Sequence, residues 1–267
     1  MSTISTTMIK RSIPVIILVM FFSSLFSQET EKRKRFYHTG TGEIILSGAH
    51  VHYNGDYGIT DLNTLPRFTL FFHTQQMINF DLNSRLGFYS GASLRNIGLI
   101  TEGRYQHMGF TGIDGNHESW NADTRIKRRS YSLGFPLALK AGNIRKHTYL
   151  YAGGEYEWMF HYKQKLFIEG EKIDKETEWV SPRVNPWIPS VFVGFQFPGG
   201  LNLKAKYYMK DFLSQDYRGQ DFGQPADYSQ FRSSGIWYIS LSMVISKKKM
   251  DELRREQQIR KYRSAQR

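Results

Sequence analysis

Eight stretches of this chain alternate apolar with polar side chains, and the connections between them alternate in length. The stretches are Glu43–Tyr53, Arg67–Asp81, Leu86–Thr101, Ile126–Lys140, His147–Phe167, Trp187–Phe197, Leu201–Lys210 and Ile236–Ile245, each with the two-residue period of a β-strand. Long segments follow the first, third, fifth and seventh: Asn54–Pro66, Glu102–Arg125, Ile168–Pro186 and Asp211–Gly235. Short ones follow the second, fourth and sixth: LNSR at Leu82–Arg85, AGNIRK at Ala141–Lys146 and PGG at Pro198–Gly200. An up-and-down barrel in an outer membrane has this rhythm, with short turns on the periplasmic side and long loops outside. An even strand number then leaves both termini in the periplasm. A soluble sandwich has no reason to keep every long loop at one end.

The segment Tyr149–Lys165, YLYAGGEYEWMFHYKQK, shows the alternation at its longest. Split by parity, Leu150, Ala152, Tyr156, Trp158, Phe160 and Tyr162 share one face, and Glu155, Glu157, His161 and Lys163 share the other. Soluble strands usually run about 5–6 residues; a tilted strand crossing a bilayer needs about 9–11. The other strands agree. Leu201, Leu203, Ala205, Tyr207 and Met209 oppose Asn202, Lys204, Lys206, Tyr208 and Lys210, while Trp237, Ile239, Leu241, Met243 and Ile245 oppose Tyr238, Ser240, Ser242 and Val244. With apolar faces toward lipid, the charged faces share the lumen, and Arg95, Lys140, Glu155, Glu157, His161, Lys204 and Lys206 are expected to form a neutralising network there. With apolar faces inward, the same pattern would make a soluble ligand-carrying barrel, which is the alternative architecture.

The ends of the chain fit export. Lys10 and Arg11 precede an apolar run from Ile13 to Phe26, too short for a comfortable membrane helix and suited to a signal peptide over residues 1–27. An uncleaved anchor helix is the alternative. Residues 28–42 read as a periplasmic linker, 43–246 as the barrel and 247–267 as a basic, helix-prone periplasmic tail. The absence of cysteine excludes a disulfide framework and a lipid anchor at the N-terminus. The formal charge of +12 divides into +2 in the signal segment, +6 in the tail after Ile245 and +4 elsewhere. Nucleic acid is therefore not an expected partner. The expected partners are outer-membrane lipid, an extracellular ligand at the loops, and anionic headgroups or a periplasmic protein at the tail, where Lys247, Lys248, Lys249, Arg254 and Arg255 are the candidate contacts.

Eight strands enclose just enough room for side chains, which argues against an open pore. His161 beside Glu157 and Glu155 is the one arrangement that suggests catalysis, a His–carboxylate pair for an outer-membrane lipid-modifying enzyme; a lumen ion network is the competing reading. His50 and His52 share a face, with His73 on the neighbouring strand; two such histidines could share a metal, but the sequence identifies no further ligand to complete a site. DGNHE at Asp114–Glu118 carries oxygen ligands without a calcium-loop spacing. Tyr105, Phe110, Trp120, Phe212, Tyr217, Phe222, Tyr228 and Phe231 are expected either to pack over the barrel mouth or to present a binding surface. No cofactor is expected.

SYSLGFPLALKAG at Ser130–Gly142 and YLYAGGEYEW at Tyr149–Trp158 resemble the small PorT-like outer-membrane β-barrels of Bacteroidetes-type bacteria. Pro136, Leu137 and Lys140 carry the first half of the resemblance and Tyr149, Tyr151 and Gly153 the second, and it extends loosely over Gly42–Ser246. It implies an outer-membrane β-barrel; with the alternation and the loop rhythm, the expected fold is an all-β, eight-stranded antiparallel transmembrane barrel, and the expected role is non-catalytic, structural or partner-binding. Some such proteins serve the type IX secretion system.

Overall fold

The computed structural model describes residues 35–55, 58–70, 73–104, 108–110 and 122–244. Its thirteen strands are β1 (Phe36–Gly55), β2 (Gly58–Thr64), β3 (Arg67–Thr69), β4 (Thr74–Asp81), β5 (Leu86–Arg104), β6 (Asp123–Asn143), β7 (Thr148–Ile168), β8 (Glu171–Trp179), β9 (Trp187–Gln196), β10 (Leu201–Tyr208), β11 (Arg218–Asp221), β12 (Gln224–Asp227) and β13 (Phe231–Val244). Among the described residues there is no α-helix, and all pairings between the strands are antiparallel.

The main sheet closes on itself. β1 pairs β4, β4 pairs β5, β5 pairs β6, β6 pairs β7, β7 pairs β9, β9 pairs β10, β10 pairs β13, and β13 returns to β1 over Thr41↔Val244 to Tyr53↔Phe231. A closed sheet leaves no row of unpaired backbone groups along its length. The short turns 82–85, 142–147 and 197–200 lie at the end where Thr41 meets Val244, so the described chain begins and ends on that side.

The long connections are more ordered than the sequence suggests. The first contains β2, a hairpin partner of β1; the third contains β8, which continues β7; the fourth contains the β11–β12 hairpin. The second expected strand is two strands, β3 and β4, both on β1. The expected linker is also shorter at its end, because Phe36–Gly42 belongs to β1 and pairs with β4. Its pattern was hard to read because Thr and Gly dominate HTGTG at His38–Gly42. Residues 1–34 and the tail from 245, with Lys247, Lys248, Lys249, Arg254 and Arg255, lie outside the described residues, as do Tyr105, Trp120 and Asp114–Glu118.

Alternation sorts the side chains as expected over most of the ring. Ile44 and Leu46 on β1, Ile78 on β4, Phe135, Leu137 and Leu139 on β6, Leu150 and Tyr156 on β7, Val191 and Val193 on β9, Leu201, Leu203 and Tyr207 on β10, and Trp237, Ile239, Leu241 and Met243 on β13 all face outward and exposed. They form an apolar belt around the closed sheet, far larger than the few hundred Å² a soluble monomer usually leaves open. On β10 the belt runs from Leu201 to Met209; at about 3.3 Å per residue and a tilt of about 40° this rises about 20 Å between backbone levels. With side chains added, that matches the apolar band of about 25 Å on barrels that cross an outer membrane.

One strand breaks parity. β6 pairs Tyr131 with His161 but Ser132 with Met159, so Phe160 is an extra residue in β7. This β-bulge reverses the faces of everything beyond it. Glu155, Glu157 and Met159 point inward below the bulge, and Tyr162, Gln164 and Leu166 point inward above it. The even-odd division of Tyr149–Lys165 therefore holds only as far as Met159.

Candidate functional site

The interior of the ring is packed with polar and charged side chains brought together from six strands. Arg95 of β5 lies at its centre, 3.3 Å from Glu43 of β1, 2.5 Å from Glu155 and 3.7 Å from Glu157 of β7. Lys206 of β10 bridges both β7 carboxylates, at 2.5 Å from Glu155 and in closer contact with Glu157. Lys204 ion-pairs with Glu43. Hydroxyls complete the set: Ser132 donates to Glu157 at 2.6 Å, Tyr208 to Glu157 at 3.0 Å, and Ser93 to Glu155. On β4, Gln75 accepts from Lys204 at 3.4 Å. Glu43, Glu155 and Glu157 thus face Arg95, Lys204 and Lys206, three charges of each sign and all buried.

Geometry explains why these residues must balance. Removing an ion from water costs several kcal/mol even after relaxation, and only a well-placed partner offsets it. An eight-strand interior is filled by side chains and holds little water, so each carboxylate is met by cations, and the two on β7 by hydroxyl donors as well. Gly134 of β6 makes room for the network: a Cβ there would collide with Glu155 Oε1, Ser93 Oγ and Glu157 Cγ.

Above and below the network the lumen is closed by other layers. Toward the short turns, Tyr89, Tyr151 and Phe192 pack together in edge-to-face, stacked and tilted pairs, with centroids 5.8–6.4 Å apart. Beyond them lies Lys140, which belongs to a separate cluster: its ammonium is 2.7 Å from Asp81, 3.0 Å from Asn79 and 3.2 Å from the Tyr37 hydroxyl. Toward the other end, Arg128 of β6 donates to Thr101 and to the Met108 carbonyl, both at 3.1 Å. Its guanidinium lies 5.6 Å and 5.4 Å from the Tyr228 and Phe231 rings.

The loops fold over this mouth. Phe110, Phe212, Tyr217, Tyr228 and Phe231 are buried, and Tyr228 packs edge-on against Tyr217 at 4.9 Å and Phe231 at 5.2 Å. These loop aromatics therefore fill the mouth rather than present a binding surface. Arg183, between β8 and β9, ties the hairpins together, 2.6 Å from Asp221, 2.6 Å from Glu178 and 3.2 Å from Glu176. Burial works against its charge, but the hydrogen bond and charge of Asp221 outweigh burial and hold its pKa above the ordinary arginine range.

Of the seven residues expected in one lumen network, five meet there: Arg95, Glu155, Glu157, Lys204 and Lys206. Lys140 sits in its own cluster. His161 is not in the lumen at all. The bulge at Phe160 turns its ring to the outer wall, 4.7 Å from Trp179 and 5.6 Å from Tyr131, so the His161–Glu157 pair suggested by spacing does not form. The histidine trio is likewise divided, with His50 exposed and His52 half-buried on the outer face of β1 and His73 buried inside, where its Nδ1 accepts from the Asn96 amide at 3.3 Å. Among the described residues no group of three or more His, Asp or Glu could hold a metal. Sequence reasoning missed Glu43 because the facing of the first strand was unclear. The alternation Glu43, Ile45, Ser47 against Ile44, Leu46, Gly48 carries the signal once the strand is extended back to Phe36.

No family model and no curated protein matches the chain. Similar solved structures include the attachment invasion locus protein Ail of Yersinia pestis in complex with the heparin analogue sucrose octasulfate, at 12% identity and a TM-score of 0.33, covering 78% of this chain and 99% of that one. Neisserial surface protein A matches at 10% and 0.29, covering 80% and 100%. The toluene transporter TodX of P. putida matches at 10% and 0.22, covering 79% and 90%. Scores this low set no residue equivalences.

Proposed function

We propose that this chain is an eight-stranded transmembrane β-barrel of a bacterial outer membrane, with its short turns in the periplasm and its hairpins outside. Its role in this reading is structural or partner-binding rather than catalytic. The observation that carries the proposal is the inversion of a soluble fold: an apolar belt outside over most of the ring and a buried, balanced ion network inside. Five layers of side chains fill the lumen, so solute passage is not its task. The surfaces left for partners are the external hairpins β1–β2, β7–β8 and β11–β12 and, in the periplasm, the basic tail. Service to a type IX-like secretion system would use those same surfaces, and it rests on the resemblance alone.

Fractionation and surface proteolysis of cells producing the full chain test this reading. The protein is expected in the outer membrane, and external protease is expected to cut hairpin tips such as Glu169–Gly170 while leaving the short turns intact. Recovery in the soluble periplasm would overturn it. The rival reading, a lipid-modifying enzyme centred on His161, loses its geometric basis with the bulge. His161→Ala is accordingly expected to leave the outer-membrane lipid profile unchanged.

A further inference from the structure

The outer wall above the belt carries a grid of cations that no carboxylate among the described residues balances. The top row of aromatic contacts runs across three strands as Tyr131, His161 and Trp179. Two residues further out, β6 and β7 place Arg129 opposite Lys163; two beyond that, β6, β7 and β8 place Lys127, Lys165 and Lys175 in one line. Lys172 follows across from Phe167. The bulge at Phe160 is what brings Lys163 and Lys165 to this face; without it they would point into the lumen. Directly opposed side chains on neighbouring strands sit about 5 Å apart at Cβ, and like charges there are destabilising.

Charge is also sorted across the β8 hairpin. Glu176 and Glu178 face the other way, toward Arg183. On the outward face Glu102 neutralises Arg125. Among the described residues no carboxylate lies within ion-pair distance of Lys127, Arg129, Lys163, Lys165, Lys172 or Lys175. Two of them lie by rings, Lys127 4.8 Å from the Phe167 centroid and Arg129 5.8 Å from that of Tyr131.

We infer that the outward face of β6, β7 and β8 binds the phosphate groups of the outer-leaflet glycolipid. This rests on the membrane placement proposed above. Height and direction select this occupant. At about 3.3 Å per residue and a tilt of about 40°, the two cation rows stand about 5 and 10 Å above the aromatic row. Aromatic side chains mark the membrane–water interface, and a bilayer's headgroup layer adds about 5–8 Å per side to the hydrocarbon core. The grid faces sideways, into that layer, whereas a soluble polyanion would meet the hairpin tips first. Long lysine stems lying along the wall keep their ammonium groups at headgroup level.

The test uses the full chain reconstituted into phosphatidylcholine bilayers containing diphosphoryl lipid A or its dephosphorylated form. After detergent extraction and purification, the lipid A retained per protein is measured. The wild-type chain is expected to retain the diphosphoryl form, with at least about tenfold less retained by the variant carrying Lys127→Gln, Lys163→Gln and Lys165→Gln. Lys210→Gln, an exposed lysine off the grid, is expected to behave as wild type. Equal retention of both lipid A forms, or unchanged retention by the triple variant, would overturn the inference. So would displacement of no lipid A by heparin together with heparin binding that the triple variant loses, which would reassign the grid to a soluble polyanion. Insertion is scored separately by the gel shift on heating. A wild-type chain that inserts and still ignores phosphate counts against the grid alone, and failure of the wild type to insert counts against the membrane placement.

Discussion

Arg95 touches all three carboxylates of the central network, so its removal leaves Glu43, Glu155 and Glu157 facing two lysines. Breaking a buried pair by removing one partner is worth about 3–5 kcal/mol. Arg95→Met is therefore expected to lower the urea midpoint of the detergent-folded protein sharply, and Arg95→Met with Glu155→Gln, which restores the balance, is expected to recover much of the loss. Equal midpoints for wild type and Arg95→Met would remove the network from the account of stability. Gly134→Ala makes a complementary case, since the added methyl meets Glu155 and Ser93; overpacking of this kind costs about 1–3 kcal/mol, visible in the same titration. At this scale the sequence was half legible. Lys204, Lys206, Glu155 and Glu157 showed themselves through strict alternation in β10 and β7. Glu43 did not, because Gly and Thr around it blur the pattern, and Lys140 looked like a member of the network until strand register placed it beside Asp81.

β7 is the element in which sequence and structure part. Its alternation is strong enough to identify the strand and its length, yet one inserted residue, Phe160, changes what every side chain beyond it faces. No composition signal marks such an insertion, because Phe160, His161 and Tyr162 would all be acceptable at an aromatic girdle in either register. The outcome matters for function: it removes His161 from the carboxylates and delivers Lys163 and Lys165 to the outer wall. Because the chain has no cysteine of its own, single substitutions read the register directly. Lys163→Cys and Lys165→Cys are expected to react with a membrane-impermeant maleimide on intact cells, and Gln164→Cys, buried inside, is expected to stay unlabelled. The reverse pattern would mean that β7 runs without a bulge. The hairpin extensions β2, β8 and β11–β12 were illegible for a different reason. They are short and largely polar in sequence, and single buried apolar residues such as Leu62 and Ala226 are too few for a two-residue period to register a strand.

The whole molecule joins a belt of exposed apolar side chains to a core of ions, an arrangement that water would disfavour on both counts and a bilayer favours on both. The eight-stave ring and its long-short rhythm were legible because barrel geometry forces them on the chain: alternation along each strand, short turns on one side, closure through β1 and β13. Tryptophans mark where the belt ends. Trp158 and Trp187 stack at 6.2 Å, and Trp179 packs on Phe160 at 5.9 Å, so lipids brominated near the headgroup are expected to quench tryptophan fluorescence more than lipids brominated at the chain ends. The most direct test of the membrane barrel itself is the gel mobility of the protein, extracted from outer membranes in mild detergent, with and without boiling. The closed, ion-filled ring is expected to run as a compact, fast-migrating form that shifts to full apparent mass on heating. A protein that runs identically in both lanes, or that leaves the membrane without detergent, would contradict the account.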